Sequence, residues 1–163
     1  MPGTKRALFL DWGGTLALTR NNRTVVDSAG HPVLMDNVAR TLARERPRYD
    51  LCFIVSNQAR IAMGEIVEAE VARRFAWAND RLGRPFTAWR LCPHTDADGC
   101  DCRKPRPGMF LELGHLYDVN LSASVHVGDS EKDRDAAAAA GVGTFVWARD
   151  YFDWVTGPDG ASR

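Results

Sequence analysis

The sequence predicts an α/β domain built on a doubly wound, mainly parallel sheet. Three observations carry that expectation. Short apolar runs recur along the chain, and they read as continuous rather than alternating, which suits parallel strands buried on both faces. Amphipathic helical stripes separate those runs. Polar residues stand at the carboxyl ends of three runs, where open α/β sheets bind ligands.

The elements follow in order. Strands are expected at Ala7–Leu10, Leu51–Val55, Ser124–Val127 and Thr144–Trp147, with a weaker one at Ala88–Cys92. Leu34, Val38 and Leu42 fall on one helical face. Val67, Val71, Phe75, Ala78 and Leu82 form a second stripe. Met109, Phe110, Leu113, Leu116 and Tyr117 mark a third helix, with Pro107 near its start, where a proline is tolerated. Asp133 to Ala140 is alanine-rich and ends at Gly141, a C-cap residue. The alternation βαβαβαβαβ calls for right-handed crossovers.

At 163 residues the chain is expected to be one domain, residues 1–163, with its core over about 6–148 and a frayed tail at 157–163. Apolar and charged fractions of 45% and 26% are those of an ordinary globular protein. Lysine plus arginine equals aspartate plus glutamate, 21 each, so no global field draws the chain to nucleic acid or membrane. No apolar run reaches the ~18 residues of a membrane helix, and the N-terminal apolar stretch is too short for a signal peptide. The expected location is the cytoplasm, with the chain a monomer or dimer. About 45 residues separate Asp11 from Ser56, and a similar number separate Ser56 from Lys104. Neither interval has room for a cap domain, so the segment 18–33 and the loop 92–102 are the expected roof.

The strand ends carry the chemistry. The first run, L-F-L, ends on Asp11, the second on Ser56-Asn57-Gln58 and the fourth on Gly128-Asp129-Ser130. Each alone reads equally as a helix cap. Together, two carboxylates converging at neighbouring strand ends repel unless a cation lies between them. Hard oxygen donors suit Mg²⁺, which binds through one or two carboxylates plus a phosphate. Gly13 and Gly14 leave backbone amides open to an anion. Arg103-Lys104 adds positive charge.

A second cluster accounts for the cysteines. Cys92, His94, Cys100 and Cys102 form C-x-H-x5-C-x-C. Three thiolates and one imidazole fill a tetrahedral Zn²⁺ shell with no open position, which marks a structural site. The loop 92–102 leads within two residues into Lys104, so the metal would also fix that lysine. Cys52 lies inside an apolar run and reads as inert core. His126 lies inside a strand and, like His115, reads as structural. Trp12 has two readings, packing or facing the substrate. Phe145, Trp147, Tyr151, Phe152 and Trp154 suit either a covered sheet edge or a dimer patch.

D-W-G-G-T at 11–15, V-S-N-Q at 55–58, C-R-K-P-R-P-G-M at 102–109 and G-D-S-E-K-D at 128–133 resemble, in order, the four motifs of the haloacid dehalogenase superfamily. More narrowly they resemble its type IIIA phosphatases of heptose bisphosphate and histidinol phosphate, whose zinc loop also precedes the lysine motif. The resemblance implies a magnesium-dependent hydrolase acting on a small phosphorylated, sugar phosphate-like metabolite. Asp11 would be the nucleophile that forms an aspartyl-phosphate. Asp11, the Gly13 backbone carbonyl and Asp129 would hold Mg²⁺, with Asp133 behind them. Ser56 and Asn57 would bind phosphoryl oxygens. Lys104 would neutralise charge, and Arg103 would reach toward the substrate.

One position departs from the pattern. The family's phosphatases carry Asp two residues after the nucleophile, as the acid/base for the leaving alcohol and the hydrolytic water. Here it is Gly13. The missing group is worth about 10²–10⁴-fold in rate. Four readings stay open at this point. The acid/base comes from elsewhere, from Asp27, His31, Asp36 or water. The substrate has a good leaving group, as in an acyl phosphate or anhydride. The chain binds phosphorylated ligands without turnover. Or it is a non-enzymatic interaction module built on the zinc loop.

Overall fold

Ala7–Leu10 forms the central strand, β1, of a five-stranded sheet in the computed structural model, which describes residues 3–154. The expected frayed tail at 157–163 lies outside them. Every β1 residue is buried, as its continuous apolar run requires. Its parallel neighbours are β4 (Leu51–Asn57) on one side and β6 (Val125–Gly128) on the other. β5 (Ala88–Cys92) and β7 (Thr144–Trp147) complete the order β5-β4-β1-β6-β7. All four ladders are parallel.

Alternation along the strands divides the core into two layers. Leu8, Leu10, Cys52 and Ile54 face one side, against α1 (Val38–Glu45), α2 (Glu68–Arg81) and α5 (Ala148–Tyr151). Ala7, Phe9, Phe53 and Val55 face the other, against α3 (Gly108–Leu116) and α4 (Glu131–Ala140). Phe9 is the hub of that second layer, its ring 5.3 Å from Phe53 and 5.1 Å from Phe110. The alanines of α4 have a packing role: Ala136, Ala137 and Ala140 are buried in this layer. No helix among the described residues is long and apolar enough to cross a membrane.

The expected bounds of β1, β5 and β7 hold to the residue, and the others shift in ways that have local causes. Leu34 lies outside α1, because Asn37 takes a left-handed φ of 65° and the helix starts at Val38. Ser124 is a bracket before β6: its Oγ accepts from the Ala7 amide and donates to the Asn120 carbonyl. From the aromatic C-terminal run, Tyr151, Phe152 and Trp154 cover the α5 side of the sheet, with Phe152 fully buried and Trp154 Nε1 donating to the Asp36 carbonyl at 2.7 Å, while Phe145 packs on His126.

Besides the short α5, a hairpin goes beyond the expected list. Thr19–Arg20 (β2) and Arg23–Thr24 (β3) form a small antiparallel hairpin. Asn21 and Asn22, with φ of 51° and 58°, make its turn, the double left-handed geometry of a tight hairpin.

Candidate active site

The three strands β1, β4 and β6 deliver their polar ends to one pocket of about 680 Å³. Asp11, Ser56, Asn57 and Asp129 line it, together with Gly13, Arg103, Lys104 and Asp133. The loop after β1 is tight because the Trp12 carbonyl accepts the amides of Thr15, Leu16 and Ala17. Gly14 takes a φ of +74°, and a Cβ there would collide with the Asp129 carboxylate. That close approach is what lets the β1 and β6 carboxylates face one another.

Lys104 is the centre of the site. Its Nζ donates to Asp11 Oδ1 at 2.9 Å, to the Val55 carbonyl at 2.9 Å and to Asp133 Oδ1 at 2.6 Å. All three side chains are buried, with Lys104 only 2% exposed. Burial opposes the ammonium charge, but Asp11 and then Asp133 hold the Lys104 pKa above its ordinary value. Burial likewise opposes ionisation of Asp133, yet Lys104 and His126 keep its carboxyl well below the usual range.

Asp133 is also a helix cap. Its Oδ2 accepts from the Asp129 and Ser130 amides and from the Ser130 hydroxyl, while Ser130 Oγ accepts from the Asp133 amide. This capping box starts α4. His126 buttresses the same carboxylate, with Nε2 3.4 Å from Asp133 Oδ1 and Nδ1 3.0 Å from the Phe9 carbonyl oxygen. The histidine expected to be structural therefore also supports the site.

Asp129 opens onto the pocket but is packed round by protein atoms. That packing, and then the neighbouring Asp11 carboxylate, push its carboxyl up to about 8. Oxygen atoms of Asp11, Asp129 and Asp133 lie within 4.8 Å of one another. An all-oxygen cluster in which Lys104 pairs with Asp11 and Asp133, and Asp129 still carries the repulsion of its neighbours, fits a hard divalent cation.

Asn57 lines the pocket and also has a structural task. Its Nδ2 donates to the Lys104 carbonyl at 3.0 Å, and its Oδ1 accepts from the Lys104 amide at 2.9 Å. It clasps the lysine loop to β4. Ser56 Oγ accepts from Gln58 Nε2 at 2.9 Å. Arg103 is tethered to the cysteine loop, donating to Asp96 Oδ1 at 2.7 Å and to the His94 carbonyl at 3.2 Å.

The cysteine loop begins where β5 ends. Cys92 is the last residue of β5, in register with Asn57. Cys92 Sγ lies 3.4 Å from His94 Nδ1, 3.6 Å from Cys100 Sγ and 2.9 Å from Cys102 Sγ. Zn–S bonds of ~2.3 Å at tetrahedral angles put sulfurs somewhat under 4 Å apart, so the four donors fit that ion, with the 2.9 Å edge compressed. Burial opposes ionisation of Cys100, but hydrogen bonds from the Arg103 backbone and from its sister thiols hold it down to about 7. Cys52, by contrast, is pushed up to about 12 by burial and stays an inert thiol.

The 18–33 segment supplies part of the expected roof through Thr19, Asn22, Arg23 and Thr24. Arg60 ties it down, donating to the carbonyls of Asn21 and Asn22 at 2.8 and 3.1 Å and pairing with Glu65. Trp12 is 1% exposed, edge-on to Phe75 at 4.8 Å, and its Nε1 donates to Thr24 Oγ1, so packing is its main role. Asp27, His31 and Asp36 do not line the pocket: Asp27 accepts from the amides of Ala29 and His31, and the His31 ring stacks on Trp77. None of the three stands in the pocket lining beside Gly13. Arg23, Arg60, Arg74, Arg103, Lys104 and Lys132 all line the pocket. This local positive charge was hidden in a neutral total.

Comparison with known proteins agrees with this geometry. The HAD-hyrolase-like family model matches residues 101–151. The chain is 34% identical over 155 residues to D-glycero-beta-D-manno-heptose-1,7-bisphosphate 7-phosphatase of Vibrio cholerae serotype O1, covering 89% of this chain and 82% of that protein. It is 31% identical over 153 residues to the enzyme of the same name from Escherichia coli K12, covering 88% and 78%. Among solved structures, the D,D-heptose 1.7-bisphosphate phosphatase from B. bronchiseptica, complexed with magnesium and phosphate, superposes with a TM-score of 0.77 at 26% identity, over 96% of this chain and 90% of that one. A putative HAD-like phosphatase from Mesorhizobium loti gives 0.73 at 27% identity, over 86% and 70%. Fold and site thus define a hydrolase of the phosphatase type. The chain belongs to the haloacid dehalogenase superfamily, in the branch of the heptose-bisphosphate phosphatases.

Proposed function

We propose that this phosphatase is a Mg²⁺-dependent hydrolase of a small, sugar phosphate-like metabolite that works through an aspartyl-phosphate on Asp11. The observation that carries the reading is the Lys104 ammonium, buried and bonded to both Asp11 and Asp133 at the floor of a pocket rich in arginine and lysine. One Asp11 oxygen attacks phosphorus and the P–O bond to the leaving group breaks, its electron pair going to the leaving oxygen. Water then attacks the aspartyl-phosphate, the P–O bond to Asp11 breaks, and the water proton ends on the released phosphate. Lys104 and Arg103 offset the phosphoryl charge, and Ser56 orients its oxygens. Asp11, the Gly13 carbonyl and Asp129 would hold Mg²⁺, with Asp133 in support, and the ion would supply further charge neutralisation.

Phosphate release from a panel of sugar, aryl and acyl phosphates tests the reading. Asp11→Asn should lower every rate by at least about 10³-fold while leaving the fold intact. Equal rates in the two proteins would refute the nucleophile. A second reading is favoured by one observation: the pocket carboxylates outside the Asp11, Asp129 and Asp133 set reduce to Glu65, which is engaged by Arg23 and Arg60. Substrates with acidic leaving groups, such as acyl phosphates, need no proton from the enzyme and suit this pocket.

Cys92, His94, Cys100 and Cys102 are read as a structural Zn²⁺ site. The protein purified without chelators should carry about one zinc per chain by metal analysis. Cys100→Ser should lose the metal and lower the denaturation midpoint, because binding free energy here is partly folding free energy. A zinc-free, fully stable wild type would contradict the assignment.

A further inference from the structure

Gly13 has an ordinary backbone angle, yet the space its side chain would use is not empty. A Cβ built on Gly13 meets Thr19 Cγ2 at 3.0 Å. Thr19 is the first residue of β2 and lines the same pocket as Asp11 and Asp129. Its hydroxyl, one bond angle from that methyl, is engaged by no partner among the described residues. The element that carries it is held at two points. Thr24, paired with Thr19 across the hairpin, accepts from Trp12 Nε1 at 3.1 Å, and Arg60 bonds the hairpin turn. A polar residue on a doubly anchored element, lining the pocket that holds Asp11 and Asp129, is placed as a positioning group should be.

We propose that Thr19 is a positioning residue: its hydroxyl accepts a hydrogen bond from the hydrolytic water, taking part of the task that a side chain at position 13 would perform. This rests on the aspartyl-phosphate reading above. The water oxygen forms its bond to phosphorus as the bond to Asp11 breaks, the electron pair returns to the Asp11 carboxylate, and the proton leaves with phosphate. Threonine stays neutral throughout. It sets the approach of the water rather than taking its proton, so it acts on the second step and not on the first.

The test separates the two steps with an aryl phosphate, whose leaving group needs no proton. Thr19→Val keeps the shape and removes the hydroxyl. It should leave the burst of aryl alcohol, and so phosphorylation of Asp11, in place. It should slow steady-state turnover roughly 10–10²-fold and cause acid-trapped phosphoenzyme to accumulate. Thr19→Ser, which restores the hydroxyl without the methyl, should recover most of the rate and return the phosphoenzyme to its wild-type level. Wild-type kinetics in Thr19→Val, a loss without accumulation, or an equal loss in Thr19→Ser would overturn the proposal while leaving the phosphatase reading standing. A wild type that neither forms phosphoenzyme nor releases phosphate would remove both, and that result is read before any variant is made.

Discussion

Lys104→Met should cost about 3–5 kcal/mol of stability and take turnover to background. Methionine keeps the length and apolar stem of lysine but leaves Asp11 and Asp133 facing each other without the ammonium that bonds both. Removing one partner of a buried ionic cluster leaves uncompensated charge, which is the origin of that magnitude. Asp133 suffers twice, because the same carboxylate closes the capping box of α4. Urea denaturation reads the first effect and phosphate release the second. Metal content serves as a control, since the Asn57 clasp holds the Lys104 backbone through groups that the substitution leaves alone. An unchanged midpoint would mean that Asp11 and Asp133 find other partners.

Gly13→Asp should raise turnover of alkyl phosphates only when Thr19 is cut back with it. The missing acid/base is worth about 10²–10⁴-fold where the leaving group is a poor one. The backbone at 13 has no left-handed angle, and the close neighbour of a Cβ there is a single methyl at 3.0 Å. Thr19→Ser removes that methyl and keeps the hydroxyl. The double variant is therefore expected to gain up to about 10²–10⁴-fold on alkyl phosphates, the single variant markedly less, and both much less on aryl or acyl phosphates. The slope of log rate against leaving-group acidity should flatten in the double variant. A slope identical to wild type would show that protonation of the leaving group does not limit this enzyme.

Much of this was legible in the chain because parallel strands buried on both faces leave continuous apolar runs. Ala7–Leu10 could be bounded from that signal alone, whereas the edge strands Ala88–Cys92 and Thr144–Trp147 are only partly buried and gave a weaker one. The strand-end carboxylates and the cysteine spacing were legible for a related reason: such residues are costly or exposed unless they have work to do. What escaped was relational. Thr19 and Gly13 are six residues apart, and only the return of the hairpin brings them together. Asn57 carries the chemistry of a phosphate ligand, and nothing in the sequence shows that its side chain also clasps the lysine loop. The pocket arginines are scattered over 80 residues, so no run betrays them. The hairpin has two-residue strands, too short for any period to show, although Asn21-Asn22 is a turn signal.

The Arg60 tether has a consequence for how the pocket closes. A hinged domain can swing over a substrate and expel water before reaction. A hairpin of two-residue strands, pinned at its turn by Arg60 and at its base by Trp12, has no such travel. The mouth is therefore expected to keep one aperture through the proposed reaction. Dewetting falls to the substrate, whose own leaving group is the stopper. Selection among phosphates then becomes a matter of how fully that stopper fits. A ligand too slight to fill the aperture reacts in a wet site, and a ligand too broad for it never reaches Asp11.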